Sequence, residues 1–469
     1  MAIAANNNTE YKKIVYMICL IGALGGLLFG LDQGFIANSL STIDKVYSLD
    51  TGQGEQYSAV LAWGGILGAL LSGILARVLG RKKVLVIAGF LFSALSLISA
   101  FLPPLEILSL CRFGLGFAVG IASFTVPLYL AETAPTKIRG GMATLFQLMI
   151  TIGIFVVAVT NVFIAKALGH VEISLTLMFL VIFIFALIMF IGSWFLPESP
   201  RWLILTGKIE KATDVLKRVR NTQAEIDSEM QEISESISSN KGIGWSMLGK
   251  GFFWKILIVG VALQMFQQLV GINMMIYYAP TIFGYAGMTG LVALLAIPTV
   301  NMLFTFPAIK WIEKWGRKKL LYVGAVVMMI SMFAAGFAFY AIDGLPADSA
   351  HPIANIVLLL SAVVYIFGFA CSWGPVVWVL CSEIFPLKGR EIGMTVTTMI
   401  NWTFAGLVMA NSLSFMKAFG NYSVFFLFGG FCILAMIFLK LFVPETKGVS
   451  LEHIEKNLES GVPVRKIGL

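Results

Sequence analysis

Gly80-Arg-Lys-Lys83, placed where an apolar run ends, recurs as Gly316-Arg-Lys-Lys319, an offset of 316 − 80 = 236 residues. Two further charged motifs repeat in the same order. Glu132-x-x-Pro135-x-x-x-Arg139 returns as Glu383-x-x-Pro386-x-x-x-Arg390, an offset of 383 − 132 = 251. Pro197-Glu-Ser returns as Pro444-Glu-Thr, an offset of 444 − 197 = 247. Three motifs at nearly one spacing mark an internal duplication. Transporters commonly place a substrate site between two such halves.

At 469 residues a soluble chain is expected to form two or three domains. A content of 58% hydrophobic and 12% charged residues is far from the globular balance. Bilayer spans need about 20 apolar residues each, and runs of that length fill most of the chain. Spans are expected over roughly 14–38, 56–78, 84–101, 105–131, 139–165 and 174–195, then 254–285, 289–312, 318–342, 353–382, 389–415 and 421–442. The fold class is therefore an all-α integral membrane protein with twelve transmembrane helices in two pseudo-symmetric six-helix bundles. Residues 1–198 form the first bundle, 199–252 a polar helical linker, 253–443 the second bundle and 444–469 a tail. In the linker, Ile209, Ala212, Val215, Leu216 and Val219 follow helical spacing with Lys and Glu on other faces, the pattern of an amphipathic helix packed under a bundle.

The net charge of +8 is no polyanion footprint, because its location sets topology. Lys and Arg gather in alternate connections at Lys12, Lys13, Arg77 to Lys83, Lys137, Arg139, Lys314 to Lys319, Lys388 and Arg390. The opposite connections carry Asp44, Asp50, Glu55, Asp343 and Asp348. The positive-inside rule puts the repeated motifs and both termini in the cytoplasm. The first apolar run is longer than a signal-peptide core and reads as the first span. The lack of an organellar transit peptide and the compact length point to a multi-pass protein of a bacterial inner membrane.

Enzymatic and nucleotide chemistry finds no support. Gly244-Trp-Ser-Met-Leu-Gly249-Lys250 mimics the start of a P-loop, but Gly251 stands where a magnesium-ligating hydroxyl belongs and no strand precedes it. The five cysteines are scattered through apolar helices without metal or disulfide spacing. Gly114, Gly116 and Gly120 lie in an apolar span, where small residues permit close helix packing. No nucleotide, nucleic acid, metal or organic cofactor is expected.

Two charges interrupt the apolar spans of the first half: Asp32 and Arg112. A charge at mid-bilayer costs several kcal/mol unless paired or wetted. One reading is a static ion pair locking two helices. The other is a proton switch, since burial favours the neutral acid and a nearby guanidinium favours the carboxylate. Polar amides collect elsewhere: Gln147, the run Gln267-Gln268-x-x-Gly271-x-Asn273, Asn301 and Asn401, with Tyr277, Trp378 and Trp402 nearby. On an ideal helix Gln268 and Asn273 point about 140° apart, and Gly271 between them permits a break that turns both inward. Each amide alone reads as helix-to-helix glue. Together with aromatics they suit a sugar, which needs donor–acceptor partners for its hydroxyls and an apolar face for its C–H surface.

These motifs resemble the sugar porter family of the major facilitator superfamily over essentially the whole chain. The signatures stand as Gly73-Ile-Leu-Ala-Arg-Val-Leu-Gly80-Arg-Lys, Pro127-Leu-Tyr-Leu-Ala-Glu132, Pro197-Glu-Ser-Pro-Arg-Trp202, Gln267-Gln-Leu-Val-Gly-Ile-Asn273, Glu313-Lys-Trp-Gly-Arg-Lys318, Ser382-Glu-Ile-Phe-Pro386 and Pro444-Glu-Thr-Lys-Gly448. The resemblance implies the major facilitator fold with alternating access to a midplane site. It implies sugar contacts at Gln147, Gln267, Gln268, Asn273, Asn301, Trp378 and Asn401, with Phe29, Tyr277 and Trp402 as walls. Asp32 with Arg112 resembles the proton-coupling pair of the family's symporters. Arg81, Glu132, Arg139, Glu198, Arg201, Glu313, Arg317, Glu383, Arg390 and Glu445 resemble its cytoplasmic gate network, whose pairs are read as exposed and individually weak. Arg77 departs from the pattern, which has an acid there, so the first latch is expected to be weaker than its twin.

The function implied is import of a monosaccharide, glucose or galactose foremost, by proton symport in a monomer within the lipid bilayer. The alternatives are a facilitative uniporter, a pentose symporter for xylose, and a sugar sensor, against which the short tail after Pro444 argues.

Overall fold

The computed structural model describes residues 13–468 apart from 136–138, 169, 240–243, 289, 343–351, 387–388 and 450. Lys12, Lys137, Asp343, Asp348 and Lys388, and the side chains of Arg139 and Glu313, lie outside the described residues.

The first half consists of α1 (Lys13–Tyr47), α2 (Thr51–Leu79), α3 (Arg81–Ala100), α4 (Leu105–Thr133), α5 (Arg139–Ala167) and α6 (Val171–Trp194). The linker follows as α7 (Pro200–Leu205), α8 (Ile209–Val219) and α9 (Gln223–Ser239). The second half consists of α10 (Gly251–Leu269), α11 (Ile272–Tyr285), α12 (Leu291–Trp315), α13 (Arg317–Ile342), α14 (Pro352–Cys371), α15 (Trp373–Ile384), α16 (Arg390–Phe419) and α17 (Ser423–Phe442). The tail carries α18 (Leu451–Glu459). Among the described residues, twelve segments are long and apolar enough to cross a membrane, with α10–α11 and α14–α15 each forming one interrupted span.

Local chemistry accounts for the punctuation. Asp50 caps α2 by accepting from the Gln53 N–H at 2.8 Å, and the Gln53 side chain accepts from the Asp50 N–H at 3.0 Å, a capping box. Ser199 caps α7 ahead of Pro200. The break in the seventh span sits at Gly271, whose φ of +96° is a left-handed conformation that other residues adopt only with strain. The Val270 carbonyl left at that break accepts from the Tyr365 hydroxyl at 2.9 Å. The tenth span breaks at Ser372, just before the Gly374-Pro375 pair.

Close glycine packing is found in the first half. A side chain at Gly116 would run into the Leu61 backbone, and one at Gly120 into the backbone of Gly65 and Ala69. α2 and α4 therefore cross at backbone contact distance. The halves meet along an antiparallel seam of α2 and α16. Glu55 faces Leu413 at one end, Gly406 packs on Trp63, Gly65 packs on Trp402, and Arg77 faces Glu391 at the other end. An even number of spans puts the repeated basic motifs and both ends of the described chain on one face, called here the basic face.

The amphipathic linker docks on that face. Ala212, Val215, Leu216 and Val219 are buried, while Ile209 at the helix start is exposed. Arg220 fastens the linker to the first half. It donates to the Thr133 and Ala134 carbonyls at 3.0 and 3.2 Å and forks onto Glu229.

Candidate substrate and proton site

Asp32 on α1 and Arg112 on α4 face each other inside the first half. Arg112 Nη1 lies 3.5 Å from Asp32 Oδ1, and the side chains are 2% and 1% exposed. Among the described residues, neither carboxylate oxygen accepts a hydrogen bond, and Arg112 Nε and Nη2 donate none. The guanidinium rests instead on the Tyr57 ring, 5.3 Å from its centroid. A buried carboxylate normally gathers hydrogen bonds that hold its charge in place. Among the described residues Asp32 has a long ion pair and no side-chain hydrogen bond, so loss of its charge breaks no protein hydrogen bond.

One residue along α1 begins a chain of amides. Gln33 Nε2 donates to Asn273 Oδ1 at 3.2 Å. Asn273 Nδ2 donates to Gln268 Oε1 at 2.6 Å, and Gln268 Nε2 donates to Asn401 Oδ1 at 3.1 Å. Asn401 Nδ2 donates to Gln264 Oε1 and Gln267 Oε1, each at 2.6 Å. Gln267 Nε2 ends the chain on the Trp373 and Gly374 carbonyls, at 2.8 and 3.2 Å, beside the break in the tenth span. The break at Gly271 is what lets Gln268 and Asn273 meet. Phe29, one turn before Asp32, lies against Trp402 with ring centroids 5.5 Å apart. α1 thus touches α4 through Asp32, α11 through Gln33 and α16 through Phe29.

The remaining sequence-derived contacts stand apart from this chain. Asn301 is buried on α12, Gln147 half-buried on α5, Trp378 half-buried on α15, and Tyr277 buried on α11. Among the described residues, no side-chain hydrogen bond joins these four to the amide chain. Gln264 and Gln33 escape the sequence reading. Gln264 precedes Gln267 and Gln268 by three and four residues, a spacing that puts it on their helix face, and that spacing was the available signal. Gln33 belongs to no motif.

The duplicated charged motifs converge twice in the same geometry on the basic face. Arg81 forks onto Glu132 with two bonds of 2.8 Å, and Ser199 donates to the same carboxylate at 2.6 Å. Arg317 forks onto Glu383 at 3.0 and 2.6 Å, and Thr446 donates to it at 2.6 Å. Glu198 accepts the Lys82 N–H at 3.0 Å at the start of α3, as Glu445 accepts the Arg317 and Lys318 N–H groups at 2.9 and 3.0 Å at the start of α13. A carboxylate at a helix N-terminus satisfies free N–H groups and the helix dipole. It lies so close that a Cβ at Gly80 would strike Glu198 and one at Gly316 would strike Glu445, which is why both motifs open on glycine. Burial pushes the Glu198 carboxyl above the usual carboxylate range, opposed by the backbone N–H groups it accepts.

Two expectations change here. Arg81 and Glu132 are buried, each 8% exposed, and the forked pairs stay within one half. Among the described residues, an ion pair that crosses between halves on this face is Arg77 with Glu391, 2.7 Å apart and about half exposed. Arg77, read from the sequence as a weakened position, is thus a cross-half contact, because the facing residue is itself an acid. Arg201 is exposed and Arg390 half-buried.

The family profile described as sugar (and other) transporter matches residues 18–458. The chain is 40% identical over 470 residues to the galactose-proton symporter of Escherichia coli (strain K12), covering 99% of each. It is 37% identical over 455 residues to the D-xylose transporter of Levilactobacillus brevis, covering 94% of this chain and 95% of that one. Among solved structures, the partially occluded inward-open xylose transporter XylE from E. coli superposes with a TM-score of 0.80 at 32% identity, covering 93% of this chain and 99% of that one. The proton:xylose symporter XylE bound to 6-bromo-6-deoxy-D-glucose gives a TM-score of 0.79 over 96% of this chain and 99% of that one. The duplicated motifs, the twelve spans and these likenesses agree: the chain is a transporter of the sugar (and other) transporter family, built on the major facilitator fold.

Proposed function

We propose that this protein imports a monosaccharide, a hexose such as galactose or glucose, by proton symport with alternating access. The supporting observation is that Asp32, a buried carboxyl without a hydrogen bond among the described residues, is followed directly by the residue that opens the amide chain. The basic face is cytoplasmic, both termini lie there, and the protein works as a monomer in a bacterial inner membrane. The proton is the coupling ion, and no organic cofactor takes part.

Sugar binds at Gln267, Gln268, Asn273 and Asn401, with Gln147, Asn301 and Trp378 closing on it and Phe29, Tyr277 and Trp402 walling it. The amides already bond one another, so hydroxyls enter by exchange. Each incoming hydroxyl replaces an amide partner with one of equal capacity, leaving nothing buried unpaired. Protonation neutralises Asp32 and removes its attraction for Arg112. α1 is then free to shift against α4 and carries Phe29 and Gln33 with it. Proton loading and sugar contact are thereby joined through one helix.

Counterflow of labelled galactose, glucose and xylose into proteoliposomes tests the substrate class. Exchange of galactose or glucose exceeding that of xylose is expected. A protein that exchanges no monosaccharide contradicts the proposal.

A further inference from the structure

The seam between α2 and α16 is tied differently at its two ends. On the face opposite the basic one, Glu55 is fully buried and is held by α16 of the other half. Its carboxylate accepts the Leu413 N–H at 2.5 Å and the Ser414 N–H at 3.1 and 3.2 Å, together with the Ser414 hydroxyl. A helical N–H has its intrahelical acceptor four residues back. For Leu413 that acceptor is the Met409 carbonyl, and the Tyr278 hydroxyl of α11 donates to it at 2.5 Å. On the basic face a cross-half tie among the described residues is the half-exposed Arg77–Glu391 pair.

We infer that Glu55 is a gating residue of the transport cycle, the latch that holds the outer face closed. The inference rests on the alternating-access reading proposed above. Opening toward the outside separates α2 from α16, so Glu55 must surrender the Leu413 and Ser414 donors. The Met409 carbonyl, one turn before Leu413 on α16, accepts from the Tyr278 hydroxyl. Tyr278 lies on the same short helix as Asn273 and Tyr277, so a movement of α11 on sugar binding reaches the latch directly. A carboxylate serves here because it can accept from two consecutive N–H groups and a hydroxyl at once. An exposed pair such as Arg77–Glu391 holds weakly by comparison, which biases the resting protein toward a closed outer face.

Hydrogen–deuterium exchange on the intact protein in lipid nanodiscs, read by mass spectrometry, tests this. Glu55→Ala should raise exchange in peptides covering 51–60 and 408–419 on the order of tenfold, from the loss of charge-assisted bonds, while peptides covering 76–84 and 389–396 stay equal or become more protected. Ser414→Ala, which removes one hydroxyl, should move both faces in the same directions by a smaller factor. Unchanged exchange at the outer ends overturns the inference. Equal loosening of both faces in the two variants also overturns it, because Glu55 would then be a packing residue. Failure of these shifts in a protein whose wild type exchanges sugar removes the latch alone. A wild type that exchanges no sugar removes the transport reading beneath it.

Discussion

Gln33 of the first half donates to Asn273 of the second across 3.2 Å, and the residue before it is Asp32. The buried carboxyl and the first amide of the chain are therefore neighbours on one helix, pointing at different partners. In the function proposed above, coupling needs no long relay, because displacement of α1 acts on α4, α11 and α16 at once.

Gln268 is the middle link of the amide chain, bonded to Asn273 and to Asn401. Gln268→Ala leaves both partners and any bound hydroxyls short of a bond. Sugar binding should weaken by roughly 1–3 kcal/mol, measured by calorimetry on the purified variant. Unchanged affinity in a correctly folded variant would make Gln268 a helix fastener and no ligand contact.

Two arginines of one motif should differ sharply. Arg81→Ala strips a buried Glu132 of its forked partner and should cost about 3–5 kcal/mol of stability. Arg77→Ala, at an exposed pair, should cost about 0–1 kcal/mol. Thermal unfolding in detergent compares them side by side, and equal losses would contradict the buried-versus-exposed distinction.

Gly271 carries the break that brings Gln268 and Asn273 together. Its left-handed φ of +96° costs a side-chain-bearing residue about 1–2 kcal/mol, and a Cβ there would come within 2.7 Å of the Phe428 ring. Gly271→Ala should lower thermal stability and sugar affinity together. Loss of stability with affinity intact would mean that the break does not shape the site.

Much of this architecture is written in the sequence, and the physical reason differs by feature. Span positions follow from apolar run length, which the bilayer imposes directly. The Gly80 and Gly316 motifs are legible because they are two copies of one motif, one in each half, in company with Glu198 and Glu445. Glu55 reads as a loop acid beside Asp44 and Asp50, yet it lies inside α2 and is buried. Its partners are 358 and 359 residues away, and no local pattern announces them. Gln33 and Arg77 share that difficulty: each is defined by a residue of the other half. Gln264 was recoverable from helical spacing alone.

In the proposed cycle, Asp32 lets a proton gradient drive sugar uptake. One charge crossing the full potential supplies about 2.3 kcal/mol per 100 mV, enough to concentrate a neutral sugar some tens-fold, since 1.4 kcal/mol is about a factor of ten. Asp32→Asn holds the site permanently in its neutral form, so it should keep sugar binding and some counterflow but lose the response to the gradient. Uptake into vesicles with an imposed proton gradient, starting from equal sugar on both sides, is the direct measurement. Accumulation by the wild type and none by Asp32→Asn is the predicted result; a wild type that fails to accumulate sugar, or an Asn variant that accumulates it normally, would contradict the account.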